Sequence, residues 1–121
     1  LRTLSAIRNF QTQCYQQNVD HKTFFWQSEL GPERKEIIFR NKELTFWYSS
    51  IDWDHIWFHG PNGGLSEWGI DNGYTGALHE DHINNPPQGW TIIDGKKTMV
   101  GHPSTECHKS FAEKVVKSWL K

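Results

Sequence analysis

The absences in this chain narrow its function before any motif is sought. No apolar run approaches the roughly 18 residues that a membrane-crossing helix requires, so the sequence predicts no membrane insertion. Neither sign of charge is in excess. Lys and Arg total 13 against 14 Asp and Glu, a formal charge of −1. A protein that grips nucleic-acid phosphates needs a basic face, and none is evident, so no nucleic-acid partner is expected. The Gly-rich phosphate loops are missing: there is no G-x-x-x-x-G-K-[ST], and no G-x-G-x-x-G after a strand. Ser49 and Ser50 lack the G-x-S-x-G context of a hydrolase nucleophile. No cofactor is implied by any of these patterns.

Aliphatic content is low too, with hydrophobic residues at 36%, yet aromatic residues reach 14%. Seven Trp, seven Phe and three Tyr must therefore supply much of the core. Large rings bury about 150–250 Å² each, so they dominate either cohesion or binding wherever they sit. Four of the tryptophans, Trp47, Trp53, Trp57 and Trp68, fall within residues 43–68. Disordered chains are poor in aromatics, so a folded domain is expected, and 121 residues without linker or repeat read as a single domain, 1–121.

The chain opens and closes with helical periodicity. Leu1, Leu4, Ile7, Phe10 and Cys14 form one apolar stripe, with Arg2, Arg8, Gln11 and Gln16 off it, which predicts a helix over 1–16. Near the other end Cys107, Phe111, Val115 and Trp119 recur every fourth residue, with Ser104 placed to cap that helix. Between them, short aromatic and β-branched runs alternate with turn residues, the usual signature of antiparallel strands. The expected strands are 23–27, 36–40, 44–49, 55–59, 65–70, 90–93 and 98–100, with 36–49 as a hairpin. Gly60 to Gly64, Asp71-Asn72-Gly73 and Asp94-Gly95 supply the turns. The predicted architecture is α+β: an antiparallel meander of about five to seven strands, with the N- and C-terminal helices packed on one face.

Cys14 and Cys107, one in each terminal helix, are the only cysteines. Both fall on apolar faces, and pairing them would close a long loop and place the chain in an oxidising compartment. A Cys14–Cys107 disulfide and a secreted or extracytoplasmic location are the resulting expectations, with buried free thiols as the alternative.

Three constellations carry chemistry. Over residues 49–59 polar and aromatic side chains interleave in a way that a fully buried strand would not tolerate. Indole faces flanked by carboxylates and imidazoles suit sugar recognition, the ring taking the C–H face and the polar groups the hydroxyls. Trp53, Trp57 and Trp68 with Asp52, Asp54, His55, His59 and Glu67 are the candidate ligand-binding residues, although any single Trp is more commonly core. His79-Glu80-Asp81-His82 resembles a metal cluster only loosely, because paired ligands at zinc-site spacing are missing, and a solvated loop is the stronger reading. Finally, His55, His59, His79 and His82, with Glu36 or Glu67 and Arg40 or Lys42, are the residue types of a small metal-independent, nuclease-like hydrolase. No nucleophile, base and orienting group stand in fixed relation, however. The favoured expectation is a non-catalytic recognition domain for a carbohydrate or protein partner; a hydrolase or an assembly subunit are the alternatives.

Overall fold

The structure, a computed structural model, describes residues 2–28, 32–76, 86 and 88–120. The chain is α+β, but helices dominate it. Helix α1 (Arg2–Gln16) is followed by a two-residue strand β1 (Thr23–Phe24), then by α2 (Pro32–Arg40) and α3 (Lys42–Ser49). A 3₁₀ turn (Trp53–His55) leads into strand β2 (Ile56–Trp57) and helix α4 (Leu65–Asp71). Strands β3 (Trp90–Ile93) and β4 (Lys96–Met99) precede a C-terminal helix α5. That helix runs as an α-helix over Thr105–Phe111, widens to a π-helix over Ala112–Val116 and closes over Lys117–Trp119.

Among the described residues the sheets are two pairs: β1 with β2, parallel, and β3 with β4, antiparallel. The expected meander of five to seven strands is therefore overturned. The decisive region is 36–49, two consecutive helical segments in place of a β-hairpin. Its Phe-Trp-Tyr run favours strands by propensity alone, but Leu44, Trp47, Tyr48 and Ile51 recur at i, i+3, i+4 and i+7 and pack into one core cluster. Asn41, between the two helices, caps α3: its side-chain oxygen accepts from the amides of Glu43 (2.9 Å) and Leu44 (3.1 Å). Residues 65–70, also read as a strand, form α4, and Asp71-Asn72-Gly73 ends it instead of turning a hairpin. Gly73 sits at φ 85°, the Tyr74 amide reaches back to Gly69 O (2.8 Å), and the Gly73 amide to Ile70 O (3.1 Å).

Two core clusters result. One gathers Leu65, Trp68, Met99, Cys107 and Phe111 from α4, β4 and α5. The other gathers Leu4, Ile51 and Ile56, with Ile7, Phe25, Leu44, Trp47, Tyr48, Trp53 and Phe58 packed around them. The β1–β2 pair and the segment after it hold the two together. Leu65 and Ser66 amides donate to the carbonyls of Phe25 (3.0 Å) and Trp26 (2.8 Å), and a Cβ on Gly64 would fall on the Phe25 carbonyl. Glycine at 64 is what lets this approach happen.

The terminal helices form as expected, with two differences. Ser104 caps α5, accepting from the Cys107 amide at 3.2 Å. A strict four-residue repeat exceeds the α-turn of about 3.6 residues, and the π-helical stretch takes up the excess, keeping Phe111, Val115 and Trp119 against the same cluster. On α1, Phe10 points to solvent while Gln11, read as off the stripe, is the buried residue at 1% exposure.

The Cys14–Cys107 bridge is also overturned. Both cysteines are buried and free. Each does occupy an inward helix face, but α1 packs on α3 whereas α5 packs on α4, so the two thiols serve different parts of the core. Burial pushes the Cys107 thiol up from its ordinary value. Among the described residues, no helix is long and apolar enough to cross a membrane.

Candidate functional site

The polar groups that converge lie where α1 meets the 3₁₀ turn. Gln11 builds this corner. Its side-chain amide donates to Asp52 O (2.9 Å), and its oxygen accepts from the Asp52 amide (2.9 Å), so one buried side chain closes both backbone groups of one residue. The Asp52 carboxylate then caps the 3₁₀ turn, one oxygen accepting from the Asp54 amide (3.2 Å) and the other from the Tyr15 hydroxyl. That shared hydrogen bond favours the charged carboxylate and the neutral phenol. It is the leading cause holding Asp52 below its ordinary value and Tyr15 above its own.

His55 ends the turn beside them. Its Nδ1 lies 2.9 Å from the carbonyl oxygen of His21, which can only accept, so Nδ1 carries the proton. Its Nε2 consequently faces the Asp52 carboxylate at 3.7 Å. The imidazoles of His21 and His55 stack at 4.3 Å between centroids and 18° between planes. Tyr15 is near-perpendicular to both rings (84° and 82°), and Phe10 to that of His21 (89°). Tyr15 is 50% exposed. Asp52 and His55 are each partly open, so the corner is a preformed surface of ring, carboxylate and imidazole.

The expected site residues separate into five places. Asp52, Asp54 and His55 belong to the corner. Trp53 lies behind it, with its indole N–H given to Tyr48 O (3.0 Å) and its ring flanked by Tyr48 and Phe58 at 4.6 and 6.2 Å. Trp57 and Trp68 face the other cluster. Trp57 packs on Phe111 and Trp119, while Trp68, 7% exposed, lies between Tyr74 and Phe111. His59 is separate again, pairing through Nε2 with Asp71 Oδ2 at 2.6 Å. Glu67 is a helix cap whose carboxylate accepts from the Gly64 amide at 2.7 Å. His79 and His82 lie outside the described residues. Glu36 and Arg40 pair with each other along exposed α2.

Gln11, Tyr15, His21 and Asp71 are the partners that sequence reasoning missed. Tyr15 and His21 sit more than thirty residues from Asp52 and His55, and no local spacing links them. Gln11 did leave a trace, since positions 4, 7, 11 and 14 form a regular helical stripe once a polar residue is admitted to it. Among the described residues, no group of three or more His, Cys, Asp or Glu side chains is arranged to hold a metal ion. No protein-family model matches the chain, and no curated protein or solved structure matches it either.

Proposed function

We propose that this chain is a recognition module whose ligand is a carbohydrate, and that the contact face is the corner of Tyr15, Asp52 and His55. The observation that carries the reading is the Tyr15–Asp52 hydrogen bond. It pins a half-exposed ring beside a carboxylate and an imidazole, so little side-chain freedom remains to be lost on binding. An oriented ring offers its face to the C–H side of a sugar, while Asp52, Asp54 and His55 are the neighbouring hydroxyl partners. The indole faces first expected to play this part are taken up by other rings, which moves the stacking role to Tyr15.

Titrating a panel of soluble mono- and disaccharides into isotopically labelled protein tests this directly. The expected result is amide shifts concentrated at Tyr15, Asp52 and His55 for at least one sugar, lost in Tyr15→Ala with the fold intact by circular dichroism. A panel that leaves these amides unmoved defeats the carbohydrate reading.

One geometric fact favours a second reading, general acid–base hydrolysis. His55 has the tautomer of a base, with Nδ1 tied to a carbonyl and Nε2 left as the acceptor nitrogen, 3.7 Å from the Asp52 carboxylate on a partly exposed ring. Turnover of a glycoside or phosphodiester that vanishes in His55→Ala, with sugar affinity retained, would move the assignment from binding to catalysis.

A further inference from the structure

The β3–β4 hairpin carries a pattern that recognition at the corner does not use. Its turn is Asp94-Gly95, both at positive φ (50° and 76°), as tight two-residue hairpins require. The register sets Ile92 opposite Lys97 and Ile93 opposite Lys96. Successive strand residues face opposite sides, so each side of the tip displays one isoleucine beside one lysine. Ile92 and Ile93 are 57% and 54% exposed. The base of the hairpin is different. There Trp90 pairs with Met99, whose side chain is buried in the Trp68–Phe111 core, and Lys97 Nζ lies 4.3 Å from the centroid of the Trp90 ring. The base is anchored and the tip is in water.

We infer that this tip is a contact site for an anionic lipid surface, with Ile92 and Ile93 entering the headgroup boundary and Lys96 and Lys97 pairing with lipid phosphates. Charge favours it, since two lysines face a single acid, Asp94, at the tip. Shape decides between lipid and protein. A protein partner covers one side of a ribbon, whereas a lipid interface surrounds both sides of a narrow tip at once, and both sides here carry the same Ile–Lys pair. Trp90 stands one step behind, where indoles are favoured at a membrane–water boundary. Such a contact lies on the membrane without spanning it. It is independent of the carbohydrate reading.

Vesicle co-sedimentation tests it, comparing phosphatidylcholine alone with phosphatidylcholine containing about 30 mol% phosphatidylserine, a strongly anionic surface of the kind that attracts lysines. The full chain should bind the anionic vesicles and release them as salt rises. Ile92→Ser with Ile93→Ser, and Lys96→Glu with Lys97→Glu, should each weaken binding about tenfold or more. Asp94→Asn keeps a residue suited to positive φ and removes the repulsive charge, so it should strengthen binding about fivefold. Because these side chains are exposed, circular dichroism should be unchanged in every variant. Binding to neither vesicle overturns the inference, as does vesicle binding that both double variants retain. Preference for poly-glutamate over vesicles overturns it as well, by assigning the lysines to an acidic polypeptide.

Discussion

Around Phe111 the rings close on one another, whereas around Ile51 and Ile56 they run outward to a polar edge. Phe24, Trp57, Trp68 and Trp119 all approach the Phe111 ring, with centroids 4.8 to 6.4 Å away, and Tyr74 adds its hydroxyl to Ser110 Oγ at 2.6 Å. The second cluster is bounded by Gln11, Tyr15, His21, Asp52 and His55, where hydrogen bonds join the ring contacts at its margin. An aromatic side chain becomes cohesive where other rings enclose it. It becomes presentable where a buried amide and a carboxylate hold it at an edge. The first arrangement encloses its rings; the second leaves Tyr15 half-exposed at the surface.

Four experiments break or sharpen that contrast. The largest effect should come from the enclosed side. Phe111→Ala removes the ring that four others touch, and an equilibrium denaturation should show a loss of about 3–5 kcal/mol. A loss below about 1 kcal/mol would mean that the cluster is not close-packed. Next comes the edge. Gln11→Ala leaves the Asp52 N–H without its partner and its carbonyl with the His55 amide alone, so the same measurement should give about 1–3 kcal/mol, and the Tyr15 and His55 resonances should shift with it. A smaller change belongs to the helix that carries Phe111. Ser104→Ala deletes the α5 cap and should cost about 1 kcal/mol, leaving the Tyr15 and His55 resonances in place.

The smallest effect is electrostatic. The Asp52 carboxyl is held low by the Tyr15 hydroxyl, so its contribution to stability is present above the ordinary carboxylate value and is lost as pH falls through the folded one. The Tyr15 phenol is raised, so its contribution is present below the ordinary tyrosine value and is lost as pH rises through the folded one. Both groups are solvent-facing, which keeps the energy small. In a carboxyl-carbon NMR titration Asp52 should therefore have a midpoint below the usual Asp value, and Tyr15→Phe should raise it. An unchanged midpoint in that variant would remove the hydrogen bond from the account of the corner.

Local signals were legible wherever a residue does the same work in any fold. Asp94-Gly95 turns β3 into β4 because positive φ is a property of those residues, and Ser104 caps α5 because its hydroxyl reaches the third amide on. The 36–49 segment misled because its rings are strand formers, whereas its spacing was helical. Packing of Leu44, Trp47 and Tyr48 against Ile51 resolved that conflict. Of the corner, Asp52, Asp54 and His55 were readable from polar residues interrupting an aromatic run. Gln11, Tyr15 and His21 were not, because their part depends on helix α1 docking beside a turn 30 or more residues away.

By itself, then, the amino-acid order determined the terminal helices, the Ser104 cap, the Asp94-Gly95 turn and a core rich in rings, since the first three follow from interactions within a few positions along the chain and the last from composition. Tertiary structure alone decided which rings are enclosed, that Cys14 and Cys107 remain apart, and that a tyrosine in the first helix meets an aspartate at residue 52. Those outcomes depend on how elements distant in sequence pack, and packing is set by the whole set of contacts at once.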